Sequence, residues 1–239
     1  MINTTLMKQT IKSNLPLWII LTAVQTVMIA LVAGTGLDLQ MSALAYYNMM
    51  PGLISAIYVI VTSNKLFASQ VDKGTMAYVL STPVKRSKVA VTQAVFFLGS
   101  LLLMFAITAC SHIVAHYLSA GSISGVEIKS ILLLNLGLFV LNAALSGICF
   151  LTSCVFNLSK YVIAVGGGII GAFMILSIMS MFGASFHWMK NLTLVTLYDI
   201  NSILANSSDF IWKFIVLAGI GVVTYIVGSA VFTKKDLPL

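Results

Sequence analysis

Charge is scarce in this chain. Only 8% of its 239 residues are Asp, Glu, Lys or Arg, and only six of these are acids, against a mean hydropathy of +1.05. So little polar surface cannot cover a water-soluble globule, which excludes soluble enzymes and soluble binding modules. Cysteine is nearly absent as well. Cys110, Cys149 and Cys154 all fall inside apolar stretches, so a disulfide framework is excluded and small packing residues remain. A phosphate-binding loop is lacking: Gly166-Gly167-Gly168 and Gly171 have neither the Lys nor the Ser/Thr of G-x-x-x-x-G-K-[ST] and sit in an apolar run. Small residues there suit close helix approach instead. No acid stands at the centre of an apolar run, which counts against an ion-coupled transporter.

What the chain has is long apolar runs. About 20 such residues cross a hydrocarbon core of about 30 Å, and the runs are continuous, not alternating, so the spans are helices and not barrel strands. The reading is an all-α membrane protein with one transmembrane domain. Six spans are expected at 15–33, 49–67, 89–117, 130–156, 161–183 and 211–232. Residues 1–14, with Lys8 and Lys12 on one helical face, suit a separate interfacial helix with snorkelling lysines. No cleavable signal peptide is expected, because the first apolar run lacks a small-x-small cleavage site and more spans follow. Residues 34–48 read as an outer loop with Tyr46 and Tyr47 at interfacial depth. Residues 184–210 are too apolar for a free loop yet carry Lys190, Asp199 and Asp209, so a re-entrant hairpin is expected.

With six spans and both termini inside, ten Lys/Arg lie on the inner side and only Lys129, Lys190 and Lys213 outside. That bias sets the orientation and accounts for the net charge of +7 through anionic lipid headgroups, without nucleic acid.

The chain's one sizeable polar break, 70–88 (Q-V-D-K-G-T-M-A-Y-V-L-S-T-P-V-K-R-S-K), therefore faces the cytoplasm. Asp72 or Thr75 caps a short helix, Gly74 loosens its entry and Pro83 stops it. Met76, Val79 and Leu80 fall at i, i+3 and i+4, an apolar stripe that either the membrane surface or a grooved soluble partner would bury.

The stretch D-K-G-T-M-A-Y-V-L-S-T-P-V-K-R resembles the acidic-x-G-T-x-x-x-x-L-x-x-P-x-x-R signature of the ABC transporter permeases of the type-2 exporter family. Asp72, Gly74, Thr75, Leu80, Pro83 and Arg86 occupy the signature positions, with Asp72 where the family usually has Glu. L-V-T-L-Y-D-I-N-S-I-L before the last span and the basic tail are also similar, so the resemblance covers the whole chain. It implies a plasma-membrane exporter subunit in a bacterium, with the 70–88 segment as a coupling helix. Docking on a separate ATP-binding subunit would then fall to Asp72, Gly74, Thr75, Met76, Val79, Leu80, Pro83 and Arg86. By the same resemblance a second permease subunit completes the path, ATP and Mg belong to the partner ATPase, and this chain binds no cofactor or metal and is not itself an enzyme. A path without fixed charge fits an apolar or amphipathic cargo, such as a drug, antimicrobial peptide or lipid-like molecule.

Two other classes stay open. A secondary transporter or channel would need no ATPase. An intramembrane hydrolase would rest on His112, His116 and Ser124, but H-I-V-A-H has Ile113 where the general base of H-E-x-x-H stands. Polar residues near the outer membrane edge are the plainer reading of the two histidines, and a flexible linker that of Gly121–Gly125. The twelve methionines suit ordinary apolar packing, and Gln25, Gln93, Asn135 and Asn142 suit polar bonds between helices.

Overall fold

The computed structural model describes residues 3–48, 50–80, 84–180 and 184–235, without the side chains of 50, 78–80, 184, 185, 187 and 190. Among these residues there is no strand. The α-helices are α1 (Thr4–Ala33), α2 (Leu39–Tyr47), α3 (Met50–Leu66), α4 (Ala68–Asp72), α5 (Thr75–Leu80), α6 (Arg86–Ala120), α7 (Gly125–Val155), α8 (Ser159–Val162), α9 (Gly168–Met179), α10 (Ile200–Leu204) and α11 (Asp209–Lys234). Six segments are long and apolar enough to cross a membrane: α1, Leu39–Leu66, α6, α7, Ser159–Met179 and α11. The chain is a multi-pass membrane protein.

α7 is the centre of the bundle. It packs along α11, α3 and α6, and its apolar window is far more buried than that of any other span. Small residues permit the closest seam, where α7 and α11 run side by side in the same direction. A Cβ on Gly147 would collide with Thr224 Oγ1 and stand 3.2 Å from the Gly221 carbonyl oxygen. Side chains at this crossing would hold the backbones apart, and in lipid the packing itself supplies much of the association energy. α1 and α6 form the second parallel pair, joined by Trp18 Nε1 donating to the Ser100 carbonyl at 2.8 Å and Ser111 Oγ donating to the Thr26 carbonyl at 3.2 Å.

Three expectations are corrected here. The interfacial helix expected at 1–14 is not separate, since α1 runs unbroken through Pro16. Leu6, Thr10 and Asn14 are buried on one face, Thr10 Oγ1 donates to Gln93 Oε1 at 3.1 Å, and Asn3 N donates to Thr92 Oγ1 at 3.1 Å. That polar row fastens the N-terminal turns to α6. The outer loop expected over 34–48 contains a helix, α2, and Tyr46 and Tyr47 on it are buried among the other helices. Their hydroxyls find partners inside: Tyr46 donates to the Gln25 carbonyl at 3.2 Å, and Tyr47 meets His112 Nδ1 at 2.9 Å. The linker at Gly121–Gly125 ends in a capping box, in which Ser124 Oγ accepts from Glu127 N while Glu127 Oε2 accepts from Ser124 N at 2.7 Å. His112 and His116 are buried in the bundle, in the last turns of α6 before the 121–124 turn.

Within the fifth span, one π-helical turn, Ile163–Gly167, joins α8 to α9. Gly166 lies against Thr152 and Cys149 of α7, whereas Gly168 and Gly171 face open space. Before the last span come two 3₁₀ segments, Ala184–Leu192 and Leu194–Leu197, and then α10.

Candidate functional site

The polar break lies at the basic end of the bundle, where α3, α7 and α11 finish and α6 begins. Phe67 ends α3 with φ −133° and ψ −63°, and its ring packs on Phe150 and Phe232 at centroid distances of 5.3 and 4.5 Å. This aromatic knot fixes where the break starts. The Ala68 N–H donates to Ser153 Oγ at 3.3 Å, which ties α4 to the end of α7. Gly74 follows α4 with φ +70°, the left-handed region that a side chain disfavours, and there the chain turns into α5. Thr75 Oγ1 closes the turn by donating to the Gln70 carbonyl at 3.1 Å. Asp72 Oδ2 accepts from the Ser159 N–H at 3.3 Å, linking the break to the turn before α8.

Of the residues expected to dock a partner, Asp72, Gly74 and Thr75 are exposed together, with Lys73 between them. Met76 is not available: its side chain is fully buried in the chain's own core. The stripe reading is corrected at that position, because α5 lies against the bundle and spends its first apolar residue there. The side chains of Val79 and Leu80 and the whole of Pro83 lie outside the described residues. Arg86 is half-buried, and its Nη1 donates to the Lys235 carbonyl at 2.6 Å. Lys235 Nζ in turn donates to the Cys154 carbonyl at 3.3 Å and to the Val155 carbonyl, meeting the negative end of the α7 dipole. Burial holds this ammonium below the ordinary lysine value. The start of the third span is thereby clipped to the last one, a contact for which K-R-S-K and T-K-K-D give no sequence signal.

The opposite end holds a polar network and a cleft. Asn135 Nδ2 donates to Tyr47 Oη at 2.7 Å, and His116 Nε2 stands 3.7 Å from Glu127 Oε1. His112 Nε2 and His116 Nδ1 are buried without a partner. Among the described residues, no three His, Cys, Asp or Glu side chains stand together as metal ligands. Of the four expected polar links, Gln25 reaches the Pro51 carbonyl at 3.3 Å, Gln93 accepts from Thr10, and Asn135 meets Tyr47. Asn142 donates only to Leu138 of its own helix.

A cleft of about 1110 Å³ opens between α9, the 3₁₀ segments and the start of α11. Its wall mixes Phe173, Leu194 and Trp212 with Ser177, Asn191 and Thr193. Asp199 Oδ2 accepts from Lys213 Nζ there at 2.6 Å. Partial burial raises the Asp199 carboxyl, but hydrogen bonds from Lys213 and Ser202 outweigh that and hold it below the usual value. Tyr198 is pushed well above its ordinary value by burial, and its hydroxyl donates to the Leu134 carbonyl at 3.2 Å. The pair at Asp199 leaves the cleft locally neutral.

Comparison with models of known protein families finds none that matches this chain, and comparison with curated proteins finds no match either.

Proposed function

We propose that the chain is the membrane-spanning subunit of an ATP-driven exporter, carrying an apolar or amphipathic cargo and coupled to a separate ATPase. One observation carries the reading. The D-K-G-T turn between the second and third spans is exposed, while Ala68, Asp72 and Phe67 fasten its base to α7, α8 and α11. A turn that is free outside and fastened inside suits a partner that pushes on it. Docking is assigned to Asp72, Lys73, Gly74 and Thr75, with Arg86 bracing the site from behind. The cytoplasm lies on this side by the ten-to-three excess of Lys/Arg. The 184–210 stretch dips into the outer leaflet, and the neutral, mixed wall of the cleft beside it suits an amphipathic cargo. Two copies, or one copy and a homologue, enclose the path.

The test is co-purification from cells expressing the chain with the polypeptides encoded beside it. A stoichiometric ATP-binding subunit is expected, lost in Lys73→Glu and Thr75→Arg while membrane insertion persists. Recovery of the chain alone, folded and active in transport, would overturn the reading.

A secondary transporter is the other reading favoured by an observation. Buried ionisable groups in spans mark proton relays, and His112 and His116 have ring nitrogens without partners inside the bundle. Transport that follows a proton gradient without ATP, and fails in His112→Gln, would establish it.

A further inference from the structure

A groove of about 350 Å³ whose exposed wall is wholly apolar runs along the α1–α6 face. Met7, Ile11 and Leu15 form one side, and Val95, Gly99 and Leu103 the other. The wall stays apolar although Asn14 and Ser100 lie in its floor, because their polar groups are turned to protein. Asn14 Nδ2 donates to the Thr10 carbonyl, and Ser100 Oγ donates to the Phe97 carbonyl while accepting from Tyr58.

From Met7 to Trp18 the groove follows α1 through eleven residue steps, roughly 16 Å at about 1.5 Å per step. That is about half of a 30 Å hydrocarbon core, the depth of one leaflet. A groove of this depth with a wholly apolar exposed wall suits an acyl chain.

Charge flanks its half nearer the start of α1. Lys8 and Lys12 are exposed and lie one turn from Ile11 and Leu15 along the flank of α1. Lys88 is exposed on the same face of α6 as Val95 and Gly99, at i, i+7 and i+11. No Asp or Glu falls between residues 1 and 37, or between 73 and 126, so no acid on either helix offsets these lysines. An apolar groove about one leaflet deep, flanked by three cations and by no acid, is complementary to an anionic amphiphile with an acyl tail. We infer that the α1–α6 groove binds an anionic phospholipid, with an acyl chain in the slot and the headgroup among Lys8, Lys12 and Lys88. The inference rests on the membrane-spanning fold alone and stands with or without an ATPase partner.

Gly99 provides the decisive variant. A Cβ there meets no heavy atom within 4 Å, so Gly99→Leu fills the slot without pushing α1 from α6. The full chain in detergent is titrated with phosphatidylglycerol or phosphatidylcholine. Bound lipid is counted by native mass spectrometry, and folding is checked by circular dichroism. Phosphatidylglycerol is expected to be retained in preference. Each lysine near an anionic headgroup contributes about fivefold, so Lys8→Gln/Lys12→Gln/Lys88→Gln should weaken that preference by up to about a hundredfold. Gly99→Leu should reduce retention of both lipids while the protein stays folded. Equal retention of the two lipids by the parent chain would overturn the inference. So would unchanged retention in folded Gly99→Leu, and a changed oligomeric state in that variant with lipid binding intact would assign the groove to a second copy instead.

Discussion

Replacing Gly147 by alanine tests whether the α7–α11 seam governs stability. On propensity alone, Gly→Ala in a helix interior should stabilise by about 1 kcal/mol. The seam reverses that sign. The added methyl meets Thr224 Oγ1 and the Gly221 carbonyl oxygen, with Thr224 Cβ at 3.3 Å, so rotating one hydroxyl does not make room. Thr224 would also give up its bonds to the Ile220 and Gly221 carbonyls, at 2.8 and 2.9 Å, in surroundings where no water replaces them. Overpacking of this kind costs about 1–3 kcal/mol, and the lost hydrogen bonding about 1 kcal/mol more. The net expectation is a destabilisation of about 1–3 kcal/mol after the propensity gain. Reversible unfolding by sodium dodecyl sulfate in mixed micelles reads it directly. Gly168→Ala is the control: its Cβ meets nothing within 4 Å, so it should be neutral or slightly stabilising. Gly147→Ala/Thr224→Ala should recover at least about 1 kcal/mol relative to additivity. Parental stability in Gly147→Ala, or strict additivity in the double variant, would refute the reasoning.

Stability at the cleft should depend on acid. The folded Asp199 carboxyl is held below its ordinary value near 3.8, so the ion pair stabilises fully above that pH and is lost as pH falls through the lower folded value. Melting curves taken from about pH 6 to about pH 2.5 should show a shallower acid-side decline in Asp199→Asn than in the parent. At the basic end, Arg86→Gln removes the charged donor from the Lys235 carbonyl and should cost about 1–2 kcal/mol. Proteolysis of the C-terminal tail should become faster, and an unchanged cleavage rate would count against the clip.

The span pattern was legible because a continuous apolar run of membrane length has few alternative fates. The ends of the runs were less so. Residues 34–48 read as a loop because Asp38, Gln40 and Asn48 dilute the apolar signal, while the partners that bury Tyr46 and Tyr47 are distant in sequence. The N-terminal turns read as interfacial because Lys8 and Lys12 are conspicuous. The row Leu6, Thr10, Asn14 that packs on α6 is mostly polar and escapes a hydrophobic-face search. Ser124-Gly125-Val126-Glu127 did carry the capping-box pattern S-x-x-E, so that cap could have been read. At the candidate site, the Gly74 turn was legible from D-K-G-T. The inward turn of Met76 was not, because a short amphipathic helix does not reveal whether its apolar side faces its own bundle or a partner.

The two parallel pairs also bear on how the protein is made. α1 meets α6 through contacts 82 to 89 residues apart, and Ser146 of α7 meets Tyr225 of α11 across 79. During synthesis the first span therefore waits in the bilayer through the second, Leu39–Leu66, before its partner emerges. α7, which brings Asn135, Asn142 and Ser146 into the membrane, is inserted well before α11 arrives to cover it. Until then Ser146 lacks its Tyr225 partner, whereas Asn135 and Asn142 already have theirs in Tyr47 and the Leu138 carbonyl. The tightest seam in the finished bundle is thus the last to close, and a ribosome stalled before residue 209 leaves its most buried helix without its cover.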